Sequence, residues 1–215
     1  MAFWLIDQLR NHSTGEFISL HYVAAYFFFS MTTVSPDFKK RLLQLTDKEL
    51  VALIARAARR DDEFYETLRF ELMPDVDVAS IQAETEDRIH ELFNLSVSGY
   101  LLHKSLPKVV GKAVKEVARA RRITKNKQLE VDLTLYILRL IFRNYTGSLD
   151  SSHDQFYKAT ARLTVRVAGL IVKNLHEDYW LEYKPEVDDF FRKLRAYDNR
   201  WSLSFDLPSE MHIAE

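Results

Sequence analysis

Cysteine is absent from the chain, and glycine and proline occur only five times each. Without cysteine there are no disulfides, no thiolate zinc sites and no cysteine nucleophile, which accords with a reducing, cytoplasmic setting. So few backbone breakers favour helices over a turn-rich β fold. The scarce glycines leave no phosphate-binding loop of the GxxxxGK[ST] or GxGxxG type, and nucleophile-elbow and zincin patterns are missing too. No transmembrane segment is expected: the most apolar stretch, Phe17 to Phe29, is interrupted by Ser19, His21 and two tyrosines and falls short of the ~20 residues of a spanning helix. What is present is 215 residues, 47% hydrophobic and 28% charged, ordinary values for a chain that buries a core.

A net charge of −1 conceals strong segregation. Lys108 to Lys127 holds eight basic residues against Glu116 alone, and Asp61 to Glu91 holds eleven acidic residues against Arg69 and Arg88. The segment from Glu177 onward is acidic as well. A cationic surface in such a chain meets either an external polyanion or the chain's own acidic helices.

The most informative run is Ser105 to Ile123. Lys104, Lys108, Lys112, Lys115, Arg119 and Arg122 recur every three or four residues, which places all six within about 80° on a helix. Leu106, Val109, Val110, Ala113, Val117 and Ala120 occupy the opposite side. Ser105 reads as the N-cap of this helix and Pro107 as a first-turn residue. Leu129 to Tyr145 is apolar nearly all round and is expected to be the buried central helix. The architecture expected is all-α, a compact bundle of about seven or eight helices around that element.

Elsewhere the chain reads as a series of capped helices. Met1 to Ser30 carries eight aromatics and one basic residue, Arg10. It is an extension outside the main domain: an extra helix, a loosely held segment upstream of a start at Met31, or an anchor for a membrane or partner. Residues 31–200 form a single helical domain and 201–215 a tail. Ser35-Pro36 opens a short helix through Leu45, and Thr46 with Glu49 forms a capping box for the next, which runs to about Arg60. Asp61, Asp62 and Glu63 begin another that Pro74 stops. Val78 to about Ser96 follows, and Ser98-Gly99 breaks the pattern. After the central helix, Ser151 with Asp154 starts a helix ending near His176, and Lys184-Pro185 opens the last.

Three stretches carry a resemblance: Leu45-Thr46-x-x-Glu49-Leu50 with Phe64, Leu68, Leu72 and Pro74; Leu106-Pro107-Lys108 with Lys112-Ala113-Val114; and an apolar helix before one led by Phe156-Tyr157. In this order of elements the chain resembles a bacterial all-helical protein family of unknown function, over roughly residues 32–197. The resemblance implies the fold and a start near Met31, and supplies no activity.

Metal chemistry finds Glu86 and His90 on one helix face with Glu91 adjacent, too few ligands to hold an ion. His176-Glu177-Asp178 and His153-Asp154 fit helix-end roles, and the adjacent Asp188 and Asp189 diverge by about 100°. Phe190, Phe191 and Tyr197 fit core spacing; Tyr179, Trp180 and Tyr183 cluster at a helix end. No catalytic residue, metal or cofactor is expected. The reading is a non-catalytic cytoplasmic interaction or scaffold protein with a protein partner, acting through charged helix faces. A nucleic-acid-binding accessory protein using the six cations is the alternative, and an enzyme with an unrecognised site a second. The cationic helix lacks interleaved aromatics for single-strand stacking, and its Val- and Ala-rich apolar face suits a core better than a membrane surface.

Overall fold

Eleven of the eighteen residues of one helix, Lys127–Asn144, are buried, among them Leu133, Leu135, Ile137, Leu138 and Ile141. A helix that is apolar on every side must be covered on every side, and that requirement organises the larger part of the molecule. The computed structural model describes residues 34–150, 154–198 and 207–212. Among them it contains nine helices and no strand: α1 Pro36–Leu42, α2 Asp47–Ala58, α3 Asp62–Leu72, α4 Val78–Phe93, α5 Gly99–Thr124, α6 Lys127–Asn144, α7 Thr146–Leu149, α8 Gln155–Asn174 and α9 Glu177–Asp198. The fold is an all-α bundle. No helix among the described residues is long and apolar enough to cross a membrane. The readings made for Met1 to Ser30 and for Ser151 and His153 fall outside the described residues.

The chain divides into two units, Met1–Ile54 and Ala55–Glu215, with the boundary inside α2. In the first, α1 is capped by Ser35, whose hydroxyl accepts from Phe38 N at 3.2 Å. It stops at Leu42, three residues before the expected end. The Thr46–Glu49 capping box is formed: Thr46 N donates to Glu49 Oε2 at 2.8 Å and Glu49 N to Thr46 Oγ1 at 3.4 Å. Those bonds hold the Glu49 carboxyl below its ordinary range.

In the second unit, α6 is the hub, touching α4, α5, α7 and α8. α3 lies against α5, and α9 against α8. Asp61 caps α3 by accepting from Glu63 N and Phe64 N, each at 3.0 Å. Asp77 and Ser80 build a second capping box at the start of α4. Asn126 caps α6 through Gln128 N and Leu129 N. The buried hydroxyls of Thr85, Thr134, Thr160 and Thr164 each donate to the carbonyl one turn earlier, which satisfies them without a partner helix. Aromatic packing ties the helices together, with Phe142 of α6 stacked on Phe190 of α9 at 4.8 Å between centroids. Residues 207–212 have no helix or strand, yet Leu207 and Met211 are buried in the core. Asp188 Oδ1 accepts from Met211 N at 2.7 Å, which fastens that stretch to α9.

Two helices begin earlier than the prolines imply. α5 starts at Gly99, not Ser105, and Pro107 lies inside it; α9 starts at Glu177, with Pro185 inside it. Each proline forfeits one backbone hydrogen bond and crowds the preceding turn, at a cost of about 3 kcal/mol. The turns ahead of them offset it by burial. Leu106 is fully buried just before Pro107, and Trp180 and Tyr183 are buried before Pro185, with the Trp180 indole N–H donating to Leu175 O at 3.2 Å.

Candidate functional site

The six cations of α5 share one helix, but they do not share one environment. Lys104, Lys108, Lys112 and Lys115 are exposed, and none of them makes an ion pair among the described residues. At 1.5 Å per residue the row from Lys104 to Lys115 extends about 16 Å. Directly opposite, Leu106, Val109, Val110, Ala113 and Val117 are buried, so the apolar face is committed to the core and the lysine face to solvent. Leu101 continues the lysine stripe one turn earlier and is 58% exposed, and Tyr100 beside it is 60% exposed.

Arg119 and Arg122 belong to a different surface. Arg122 grips Glu63 of α3 bidentately, Nε to Oε1 at 2.5 Å and Nη2 to Oε2 at 2.7 Å. That hydrogen bond holds the Glu63 carboxyl below its ordinary range and raises the guanidinium in turn. Arg119 Nη2 lies 3.4 Å from Glu66 Oε1. Lys125, just past the helix end, lies 3.6 Å from Glu71. One side of α3 thus runs along the C-terminal half of α5 and pairs with Arg119, Arg122 and Lys125.

Behind this contact is a half-buried charge network across α3, α4 and α5. Arg88 Nε is 3.2 Å from Glu116 Oε2, and Arg88 Nη1 is 3.9 Å from Glu84 and 4.0 Å from Glu66. Arg69 pairs with Glu84. Arg69, Arg88 and Arg119 balance Glu66, Glu84 and Glu116, so the network carries no surplus charge. Several of its atoms, among them Glu66 Oε2 and Glu116 Oε2, are buried without an aligned hydrogen bond. Interactions of this kind are strengthened by removal from water but hold only while every partner is in place.

The other residues singled out in the sequence have structural surroundings. Glu86 accepts from Gln82 Nε2 at 2.8 Å, and His90 is exposed beside a groove with Leu140 and Asn144. His176 Nδ1 accepts from Asp178 N at 3.4 Å, in the connection between α8 and α9. Asp154 pairs with Lys158. Asp188 holds Lys184 and Met211, whereas Asp189 holds Arg192 and Lys193, so the two carboxyls face different partners. No group of three His, Asp or Glu side chains among the described residues could hold a metal ion.

Two arrangements were not foreseen. Tyr183 donates to Asp132 Oδ1 at 2.7 Å, and burial pushes both groups above their ordinary ranges, the phenol strongly. Glu130 is 1% exposed, within the apolar run of α6, and lies between Arg121 of α5 and Arg166 of α8. A charged residue between Leu129 and Val131 was the available signal, since a carboxylate on a buried helix requires cationic partners.

No family model, no curated protein and no solved structure matches the chain.

Proposed function

We propose that this chain is a non-catalytic cytoplasmic interaction protein that docks an acidic protein partner on the N-terminal half of α5. The observation that carries the reading is the contrast along one helix: Arg119 and Arg122 are occupied by Glu66 and Glu63, whereas Lys104, Lys108, Lys112 and Lys115 are exposed and without ion pairs among the described residues. Exposed Tyr100 and Leu101 at the head of the stripe supply apolar contacts beside the cations. Aromatic and aliphatic anchors within a charged rim suit a protein surface, and electrostatic complementarity speeds the encounter.

The regular cationic spacing supports a second reading, the phosphate backbone of a nucleic acid. Four cations without ion pairs among the described residues, not six, set its magnitude. The logarithm of duplex affinity should fall with the logarithm of salt at a slope of about −3 to −4. The test is capture from lysate, with and without nuclease, by the full chain and by a Lys112→Glu/Lys115→Glu variant, alongside a salt series on labelled DNA and RNA. A nuclease-resistant acidic partner bound by the wild type and lost by the variant supports the protein reading. Nucleic-acid binding lost by the variant replaces it with the second. Capture of the partner and nucleic-acid binding both retained in full by the variant overturn both readings.

A further inference from the structure

A cleft of about 410 Å³ opens where α5 ends, lined by five cations, Arg121, Arg122, Lys125, Lys127 and Arg166, and by Glu130. They come from three places in the chain: the last turn of α5 and its cap, the first residue of α6, and the middle of α8. At 1% exposure, Glu130 forms the floor. Its Oε1 accepts from Arg166 Nη2 at 3.1 Å, and its Oε2 lies 2.9 Å from Arg121 Nη1 without an aligned hydrogen bond. A guanidinium carries five N–H donors in a rigid plane. One edge of each arginine is spent on the floor, and the remaining donors of both are left for the cleft.

The charge count defines what fits. Glu63 answers Arg122, Glu71 approaches Lys125 at 3.6 Å, and Glu130 is shared by Arg121 and Arg166. Lys127 makes no ion pair among the described residues. Five cations against three carboxylates leave a surplus of two positive charges. Two planar donors on a buried pillar and a mobile ammonium suit tetrahedral oxyanions, which accept bidentate guanidinium bonds. The size is that of a small-molecule site.

We propose that this cleft binds the phosphate end of a small molecule, a diphosphate or a phosphomonoester dianion, with Arg121 and Arg166 as the donors that Glu130 positions. The proposal does not depend on the lysine row, and either can fail without the other.

Calorimetric titration of the full chain with inorganic diphosphate at about 0.15 M salt, where the Debye length is about 8 Å, tests it. One site per chain is expected. Arg166→Ala should weaken it by about tenfold or more, the usual effect of losing a charge-assisted hydrogen bond. Lys112→Glu/Lys115→Glu should leave it within about twofold, because surface charges at that distance are screened. Lys127→Ala is the second removal, should Arg166→Ala melt early. Glu130→Gln separates a built site from a charged patch. A patch gains affinity when a negative charge is removed; a site whose arginines need their anchor loses it. No binding, binding unchanged in both Arg166→Ala and Lys127→Ala, an equal loss in the lysine-row variant, or tighter binding by Glu130→Gln overturns the proposal.

Discussion

The two halves of α5 carry the same charges at the same spacing, yet they are different kinds of surface. From Arg119 onward an acidic helix lies alongside: Glu63 and Glu66 take up Arg122 and Arg119, and Glu116 of α5 itself faces Arg88. From Lys104 to Lys115 the cations stand in water. The residue types differ accordingly. Arginine, with a planar fork suited to bidentate pairing, fills the covered half; lysine, a strongly hydrated point charge, fills the open one. A periodic charge pattern thus reports which face of a helix is polar, and the neighbouring helix decides whether those charges are consumed within the fold or left for something else.

The sharpest way to break this comparison is to remove one cation from the α3–α4–α5 network behind the covered half and one from the open half, and measure stability. Arg88→Ala strands Glu116, takes one of two cationic partners from Glu84 and from Glu66, which keep Arg69 and Arg119, and also removes the Arg88 bond to Thr85. A loss of about 2 kcal/mol is expected, since unpaired half-buried carboxylates keep their desolvation cost without its compensation. In a chain of this length that lowers the melting temperature by roughly 4–8 °C. Lys112→Ala, in the open half, should change stability by less than about 0.5 kcal/mol. Equal effects in thermal or urea unfolding would dissolve the distinction between the halves.

Much of the fold was legible because it is local. Ser35, the Thr46–Glu49 box and Asp61 each open a helix within a few residues of themselves, and the stripe from Leu106 to Ala120 turns inward as its period requires. The apolar run of α6 likewise announces the buried centre. What stayed hidden depends on distant residues. Arg122 and Glu63 are 59 positions apart, and no periodicity within α5 says that α3 will lie beside it. Hence six cations on one face read as one surface, although only four remain open. Pro107 and Pro185 misled for a related reason: the rule that proline begins a helix is local, and the burial of Leu106, Trp180 and Tyr183 that overrides it is not. Glu130 was concealed by its apolar neighbours, and its two arginines come from other helices.

Two glycines of α5 sharpen the comparison at smaller magnitude. Gly111 sits mid-helix on the exposed side between Lys108 and Lys112, and a Cβ there meets nothing within 4 Å. Gly111→Ala should raise stability by roughly 0.5–1 kcal/mol through the restricted unfolded chain and better helix propensity. Binding at the lysine row should be undisturbed. Gly99, the first residue of the helix, has φ of 58°. Gly99→Ala places a side chain in left-handed backbone and should cost roughly 1–2 kcal/mol. Opposite signs from one substitution in one helix, read by urea unfolding, are the expected result. A gain at both positions would mean that α5 does not begin with a left-handed turn.

The smallest effect concerns pH. In the covered half the Arg122 hydrogen bond holds the Glu63 carboxyl below its ordinary range. An acid whose folded pKa is depressed binds fewer protons folded than unfolded as pH falls, so its contribution is complete above the unfolded value, about 4.3, and drains away as pH drops through the folded one. Asp132 works in the other direction. Burial beside Tyr183 raises its pKa, so the folded state holds a proton that the unfolded chain has released, and its contribution declines as pH rises from the ordinary carboxyl range through the raised value. Glu63→Gln should therefore flatten the acid limb of a stability–pH curve below about pH 4, and Asp132→Asn should flatten a slope above it. Lys112 pairs with neither carboxyl, so Lys112→Ala should leave both limbs in place. An acid limb identical in Glu63→Gln and wild type would show that the Glu63–Arg122 pair, exposed at its edge and screened by solvent, contributes nothing measurable to folding.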